Sequence, residues 1–181
     1  MTQAFYMRIG NDEQYTPQYG VRILLPHIQH LKDKIIWCPF DTWQSNFVKV
    51  LTKNGFQVEY SHIWEGKDYF EYEPEKWDVM ISNPPYKNKR SYLEKALSFN
   101  KPFALLLPLT SLNDTIFHTV FRGKEDKFQM LVPDRRMRFI NSTTKREGPS
   151  PTFKAVYFAY DLFKQQLIFQ DFKIGQEELW K

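Results

Sequence analysis

Val21, Leu24, Leu25, Ile28 and Leu31 recur at helical spacing, a pattern that Pro26 must kink or divide because it has no amide hydrogen to donate. Lys34-Ile35-Ile36-Trp37-Cys38 then reads as a short apolar strand. Ser45 is placed to cap a helix whose buried stripe is Phe47, Val50 and Leu51, and Asn54-Gly55 closes it ahead of a second strand, Phe56 to Tyr60. An acidic connection from Glu65 to Asp78 leads to a third strand, Trp77 to Ser82. Ser91-Tyr92-Leu93-Glu94 has the form of a capping box opening a helix with Leu93, Ala96 and Leu97 inward. Phe103-Ala104-Leu105-Leu106-Leu107 is apolar throughout, as in a parallel strand covered on both faces. Beyond Pro108 the pattern predicts a helix over Asn113 to Val120, a basic loop, and β-rich segments near Thr152 to Tyr160 and Gln166 to Phe172 that complete the sheet antiparallel. Strands alternating with helices predict an α/β fold of the doubly wound, Rossmann-like kind.

The chain of 181 residues is 42% hydrophobic, enough for one well-buried core and too little for a catalytic domain plus a large recognition domain. One domain spanning 1–181 is expected. Gly148-Pro149-Ser150-Pro151 reads as a rigid turn within it. The net charge of +4 permits nucleic-acid contact without requiring it. Cys38 is the only cysteine, which excludes an internal disulfide and any multi-thiolate metal site. His27, His30, His62 and His118 are scattered without a carboxylate pair to complete a site, so no metal is expected. The opening Met1 to Arg8 has no long apolar stretch after a basic region, and no later segment approaches membrane-spanning length. A cytoplasmic protein without a membrane partner is therefore expected. The oligomeric state is not legible.

Asn83-Pro84-Pro85-Tyr86 falls at the carboxyl end of the Trp77 to Ser82 strand, where open α/β sheets place their chemistry. Two prolines in succession fix two φ angles and remove two donors, making a stiff corner. The Asn83 amide oxygen and the Pro84 carbonyl are two acceptors for one planar amino group, and Tyr86 is a ring to stack on the attached heterocycle. A strand-ending turn would account for the same four residues. Upstream lies Asp12-Glu13-Gln14-Tyr15-Thr16-Pro17, and Pro39-Phe40-Asp41 follows the first strand. These three fragments stand in the order found in amino-methyltransferases, and over roughly residues 12 to 160 the chain resembles the small phage-type DNA adenine-N6 methyltransferases.

The resemblance implies a Rossmann-like methyltransferase domain that uses S-adenosylmethionine. It places Thr16, Pro39, Phe40 and Asp41 at the methionine part of the cofactor, and Asp68 with Tyr69 or Phe70 at its adenine. Asn83 serves both cofactor and substrate. The family's glycine-rich loop is replaced here by Cys38-Pro39-Phe40-Asp41-Thr42-Trp43-Gln44-Ser45-Asn46-Phe47, which has no glycine for close backbone approach and offers side chains to a ligand instead. Tyr60-Ser61-His62 stands where relatives carry the acid for ribose hydroxyls. Asn83, Pro84, Pro85 and Tyr86 are the implied catalytic corner, with direct methyl transfer needing positioning and electrostatics but no covalent enzyme intermediate. A cytosine-C5 mechanism needs a nucleophilic cysteine after a proline, whereas Cys38 precedes Pro39.

A base inside a duplex must be flipped to reach such a corner. Lys87, Lys89 and Arg90 precede the Ser91 helix, and Arg135, Arg136, Arg138, Lys145 and Arg146 form a second basic segment. Both are candidate phosphate contacts, although a solvated loop explains the second equally well. Phe139, Pro151 and Phe153 fall where the relatives shape the substrate side. DNA is the expected substrate, with RNA adenine next. A protein glutamine presents a similar planar amine, and a non-catalytic nucleic-acid-binding module with a degenerate cofactor loop is the alternative from another class.

Overall fold

The computed structural model describes residues 14–113, 115–141 and 144–175. Asp12, Glu13 and the Met1 to Arg8 opening lie outside the described residues. A seven-stranded sheet carries the fold. Its strands are β2 (Ile35–Cys38), β3 (Gln57–Tyr60), β4 (Val79–Ser82), β5 (Phe103–Pro108), β6 (Phe128–Pro133), β8 (Ala155–Tyr160) and β9 (Leu167–Gln170), in the order β3-β2-β4-β5-β8-β6-β9. A separate two-stranded ribbon pairs β1 (Gln14–Tyr15) with β7 (Ile140–Asn141). The helices are α1 (Gln18–Arg22), α2 (Asn46–Lys53), α3 (Lys89–Ser98) and α4 (Ile116–Val120).

The first four strands of the sheet run parallel, β8 is antiparallel to both β5 and β6, and β6 pairs parallel with β9. The expected mostly parallel α/β sheet with antiparallel C-terminal pairing is present. The antiparallel contribution enters through β8 alone, so β6 and β9 return to the direction of the first four strands. β6 is a strand that periodicity did not single out. Its alternating burial, with Gln129, Leu131 and Pro133 inward, is diluted in sequence by polar neighbours on both sides.

Alternation along each strand splits the core into two layers. Ile36, Cys38, Val79, Ile81, Ala104, Leu106, Ala155, Tyr157 and Ala159 pack with α1, α2 and the Leu24 to Leu31 turns. Trp37, Met80, Phe103, Leu105, Leu107, Val156 and Phe158 pack with α3, α4 and the aromatic connection at Tyr69 and Trp77. Both faces of the central strands are covered, which is why their sequences are continuously apolar.

Several local expectations change. The Val21 to Leu31 pattern is a five-residue helix followed by two short 3-10 turns, with Pro26 inside the first of them. Ser45 precedes α2 as expected, but its hydroxyl accepts from the Thr42 N–H at 3.0 Å instead of capping the helix. The capping box is not formed: α3 begins at Lys89 after Asn88, whose φ is 58°. Glu94 is drawn to Arg90 at 2.8 Å, four residues away and on the same face. The helix expected over Asn113 to Val120 divides into a 3-10 turn, Leu109–Asn113, and α4, with Asp114 outside the described residues.

Trp37 anchors the second layer. It is fully buried, its ring centroid lies 5.0 Å from that of Trp77, 5.8 Å from Tyr69 and 5.7 Å from Phe99, and its Nε1–H donates to Ser61 Oγ at 3.0 Å. Trp37→Ala is expected to cost about 3–5 kcal/mol of stability. Urea unfolding measures it, and a midpoint unchanged from the wild type would show that the ring does not hold this layer.

Candidate active site

The tips of β2, β3, β4 and β5 lie at one edge because these strands are parallel. From β2 the chain passes outward to β3 and then returns across β2 to β4. The order therefore reverses between β2 and β4, the position where open α/β sheets form a ligand crevice. Pro39–Asp41 and Asn83–Tyr86 leave the two strands at this point.

Asp41, 6% exposed, links the tips. The Ser82 hydroxyl donates to its Oδ2, and its backbone N–H donates to the Ser61 carbonyl at 3.1 Å. Ser61 N–H in turn donates to the Cys38 carbonyl at 3.1 Å, extending the β2–β3 pairing beyond the strands. The glycine-free loop thus has its own support: Gln44 N–H reaches Thr42 Oγ1 at 3.3 Å, and Asn46 Nδ2 donates to the Thr16 carbonyl at 2.8 Å.

Among the described residues, four buried side-chain polar atoms have no hydrogen-bond partner: Thr16 Oγ1, Asn83 Oδ1, Tyr86 OH and Ser111 Oγ. Buried polar groups are ordinarily paired, and an unpaired one costs about 1–3 kcal/mol. Three of the four belong to residues selected from sequence. Ser111 was missed; it sits in the 3-10 turn that follows β5, and its place just beyond the tip of an all-apolar strand was the available signal.

Pro84 is buried and Pro85 exposed, with Asn83 between core and surface. Tyr86 stands edge-on to Phe153 at 5.7 Å and to Phe139 at 6.4 Å, so its ring belongs to an aromatic wall beside Asn83. Burial pushes the Tyr86 hydroxyl well above its ordinary range. The Tyr157 hydroxyl, which donates to the Gly20 carbonyl at 2.8 Å, is raised first by burial and then by Tyr86, Asp41 and Cys38. Cys38 is raised by burial and by Asp41. These groups form one polar cluster behind the strand tips.

On the other side, Asp68 Oδ1 accepts from the Phe70 N–H at 2.9 Å and so shapes its own turn. Tyr69 is 3% exposed; its ring lies 4.7 Å from Phe40 and 5.8 Å from Tyr92, and its hydroxyl donates to the Tyr92 carbonyl at 3.3 Å. Its faces are occupied by protein. Phe70, 43% exposed, is the ring of this pair that meets solvent.

β6 runs parallel to β5, so the loop after it reaches the same edge as Asn83, as the Tyr86 to Phe139 contact also requires. Lys87 is exposed, while Lys89 and Arg90 begin α3, with Arg90 paired to Glu94. Arg135 pairs with Asp134 at 3.2 Å, and Arg136, Arg138 and Arg146 are exposed. Lys145 Nζ lies 4.8 Å from the Tyr15 ring centroid. One cavity of about 330 Å³ lies at His27, His30 and Lys164, and another of about 240 Å³ at Tyr15, Asn46 and Lys145. Neither is lined by Asn83–Tyr86. Among the described residues no group of three or more His, Cys, Asp or Glu side chains is gathered for a metal, and no helix is long and apolar enough to cross a membrane.

No family model and no curated protein matches the chain. Among solved structures it is similar to a type I restriction-modification system methyltransferase subunit from Streptococcus thermophilus, at 10% identity and a TM-score of 0.47, covering 93% of this chain and 50% of that one. A protein of Thermoplasma acidophilum provisionally named a methyltransferase gives 11% identity and a TM-score of 0.31, covering 74% and 59%. The chain thus spans about half the length of the first and three-fifths of the second.

The buried thiol and phenols of the two layers have a measurable signature. Cys38, Tyr69, Tyr86 and Tyr157 are all raised in the folded state. Unfolded, they release their protons above about pH 9–10, while the folded state retains them. Stability is therefore full below that range and falls as pH rises through it. The urea midpoint is expected to drop between pH 8 and pH 11, and Cys38 to react with a thiol reagent only after unfolding. A flat midpoint and rapid reaction of the native thiol would contradict this assignment.

Proposed function

We propose that the chain transfers the methyl group of S-adenosylmethionine to the exocyclic N6 of adenine in DNA, with RNA adenine a substrate of the same geometry. The observation that carries this reading is the buried, unpartnered Asn83 Oδ1 at the tip of β4, beside Asp41 at the tip of β2. An acceptor held out of water without a donor is matched by an incoming N–H. The Pro84 carbonyl is the second acceptor, and the fixed φ angles of Pro84 and Pro85 hold both in place before substrate arrives. Together they localise the amine lone pair, which in free adenine is delocalised into the ring, and aim it outward. Tyr86, braced by Phe139 and Phe153, walls the side of the base.

The residues present fit the methyl donor. The unpartnered Thr16 Oγ1 and the buried Asp41 carboxylate suit its methionine end together with Pro39 and Phe40, and Phe70 offers a ring to its adenine beside Asp68. When bound, that group supplies a methyl activated by sulfonium charge. The protein's task is alignment and exclusion of water.

A second reading is favoured by two observations. Asp41 is engaged by Ser82, and Tyr69 has no free face, as expected of a nucleic-acid-binding module that no longer holds the donor. Calorimetric titration with S-adenosylhomocysteine separates the two, since absence of heat favours the non-catalytic module.

Labelled donor supplied with duplex DNA, single-stranded DNA, RNA and a glutamine-bearing protein tests the substrate. Transfer to DNA adenine is expected, and Asn83→Ala should lower it by about 100-fold or more without changing the circular dichroism. Label on glutamine would favour the protein substrate, and a rate unaffected by Asn83→Ala would remove the corner from the chemistry.

A further inference from the structure

The cavity of about 240 Å³ between the β1–β7 ribbon and the start of α2 is lined by Tyr15, Gln44, Asn46, Lys49, Ile140 and Lys145. Its lining holds two cations, two amides, one aromatic ring and no carboxylate. Lys49 and Lys145 are exposed and have no ion-pair partner among the described residues. Lys145 has a φ of 57°, held by its N–H to the Asn141 carbonyl at 3.0 Å. A bulky residue in the left-handed region is uncommon and is kept only where its surroundings fix it. Here the turn directs the side chain back over Tyr15, 4.8 Å from the ring centroid. Asn46 ties the opposite wall to the Thr16 carbonyl at 2.8 Å, so the cavity adjoins the residue whose hydroxyl is buried and unpartnered in the candidate active site.

We infer that this cavity receives a backbone phosphate of the polynucleotide substrate, with Lys49 and Lys145 as paired cations and Gln44 and Asn46 as amide donors. The inference rests on the nucleic-acid reading above and adds to it a phosphate seat built on α2 and the ribbon. Two cations without an acid favour a dianion or a phosphodiester over a zwitterion. The volume is below the roughly 300–1,000 Å³ of pockets that enclose a drug-sized ligand, which suits a phosphate entered from a chain lying outside. Tyr15 and the stem of Lys145 then flank the adjoining sugar.

Fluorescence anisotropy with a labelled oligonucleotide over a range of salt concentrations tests the seat in wild type, Lys49→Gln, Lys145→Gln and the double variant. Each single substitution is expected to weaken binding several-fold at low salt and to reduce the slope of log K against log salt by about 1, irrespective of sequence. Both side chains are exposed, so thermal unfolding should be unchanged, and a lowered midpoint with an unaltered slope counts against the seat. If the wild type binds with a salt slope that the variants share, the inference falls while the nucleic-acid reading stands. A wild type that binds no oligonucleotide overturns both. Titration with adenosine monophosphate distinguishes the source: binding of the free nucleotide lost in the double variant, with oligonucleotide slopes intact, would assign the cavity to a small molecule and overturn the polymer. Selective loss of S-adenosylhomocysteine binding would likewise assign it to the methyl donor and overturn it.

Discussion

A buried carboxylate must be met by a donor, and Asp41 finds one on β4 while its backbone bonds to the chain beyond β3. The Ser82 hydroxyl on β4 donates to it, while its backbone amide reaches Ser61 beyond β3. Because an uncompensated buried charge is among the costliest defects a fold can carry, this arrangement fixes three neighbouring strand tips relative to one another. Where β2 and β4 diverge, the loops that leave them stay close enough to act as one site.

The unpartnered atoms acquire meaning from that constraint. Thr16, the Asn83–Tyr86 corner and Ser111 come from three separate segments, yet Thr16, Asn83, Tyr86 and Ser111 each place a polar side-chain atom out of water without a bond. A fold that satisfies Asp41, Trp37, Tyr157 and Gln129 from within has the means to satisfy these also. Leaving Asn83 unsatisfied at a proline-stiffened corner suits a group whose partner arrives from outside. The aromatic wall of Tyr86, Phe139 and Phe153 draws the chain after β6 and the chain before β8 to the same corner.

The loop after β2 replaces conformational freedom with side-chain bonding. Glycine would let backbone approach a ligand directly. Pro39, Thr42, Ser45 and Asn46 instead build a loop whose polar side chains are spent partly on one another and partly on the Thr16 segment. That same bonding carries the first turn of α2 toward the β1–β7 ribbon and creates the basic cavity between them.

What the chain alone determined is its local grammar. The apolar runs Ile35–Cys38 and Phe103–Leu107 marked parallel strands because burial on both faces leaves no polar alternation, and the consecutive prolines marked a stiff corner at a strand end. From these the α/β sheet and the position of Asn83 were legible. Tertiary structure decided everything that depends on which distant segments meet. β6 became a strand because β8 and β9 supply its partners, although its own pattern is weak. Glu94 paired with Arg90 instead of capping α3, since helix start and side-chain pairing compete at similar small energies. Tyr69 was taken into the core and Phe70 left outside, a choice that two adjacent aromatic residues cannot announce. Periodicity reports the environment of a residue averaged along its own segment, whereas the partner of a buried oxygen is set by chain many residues away.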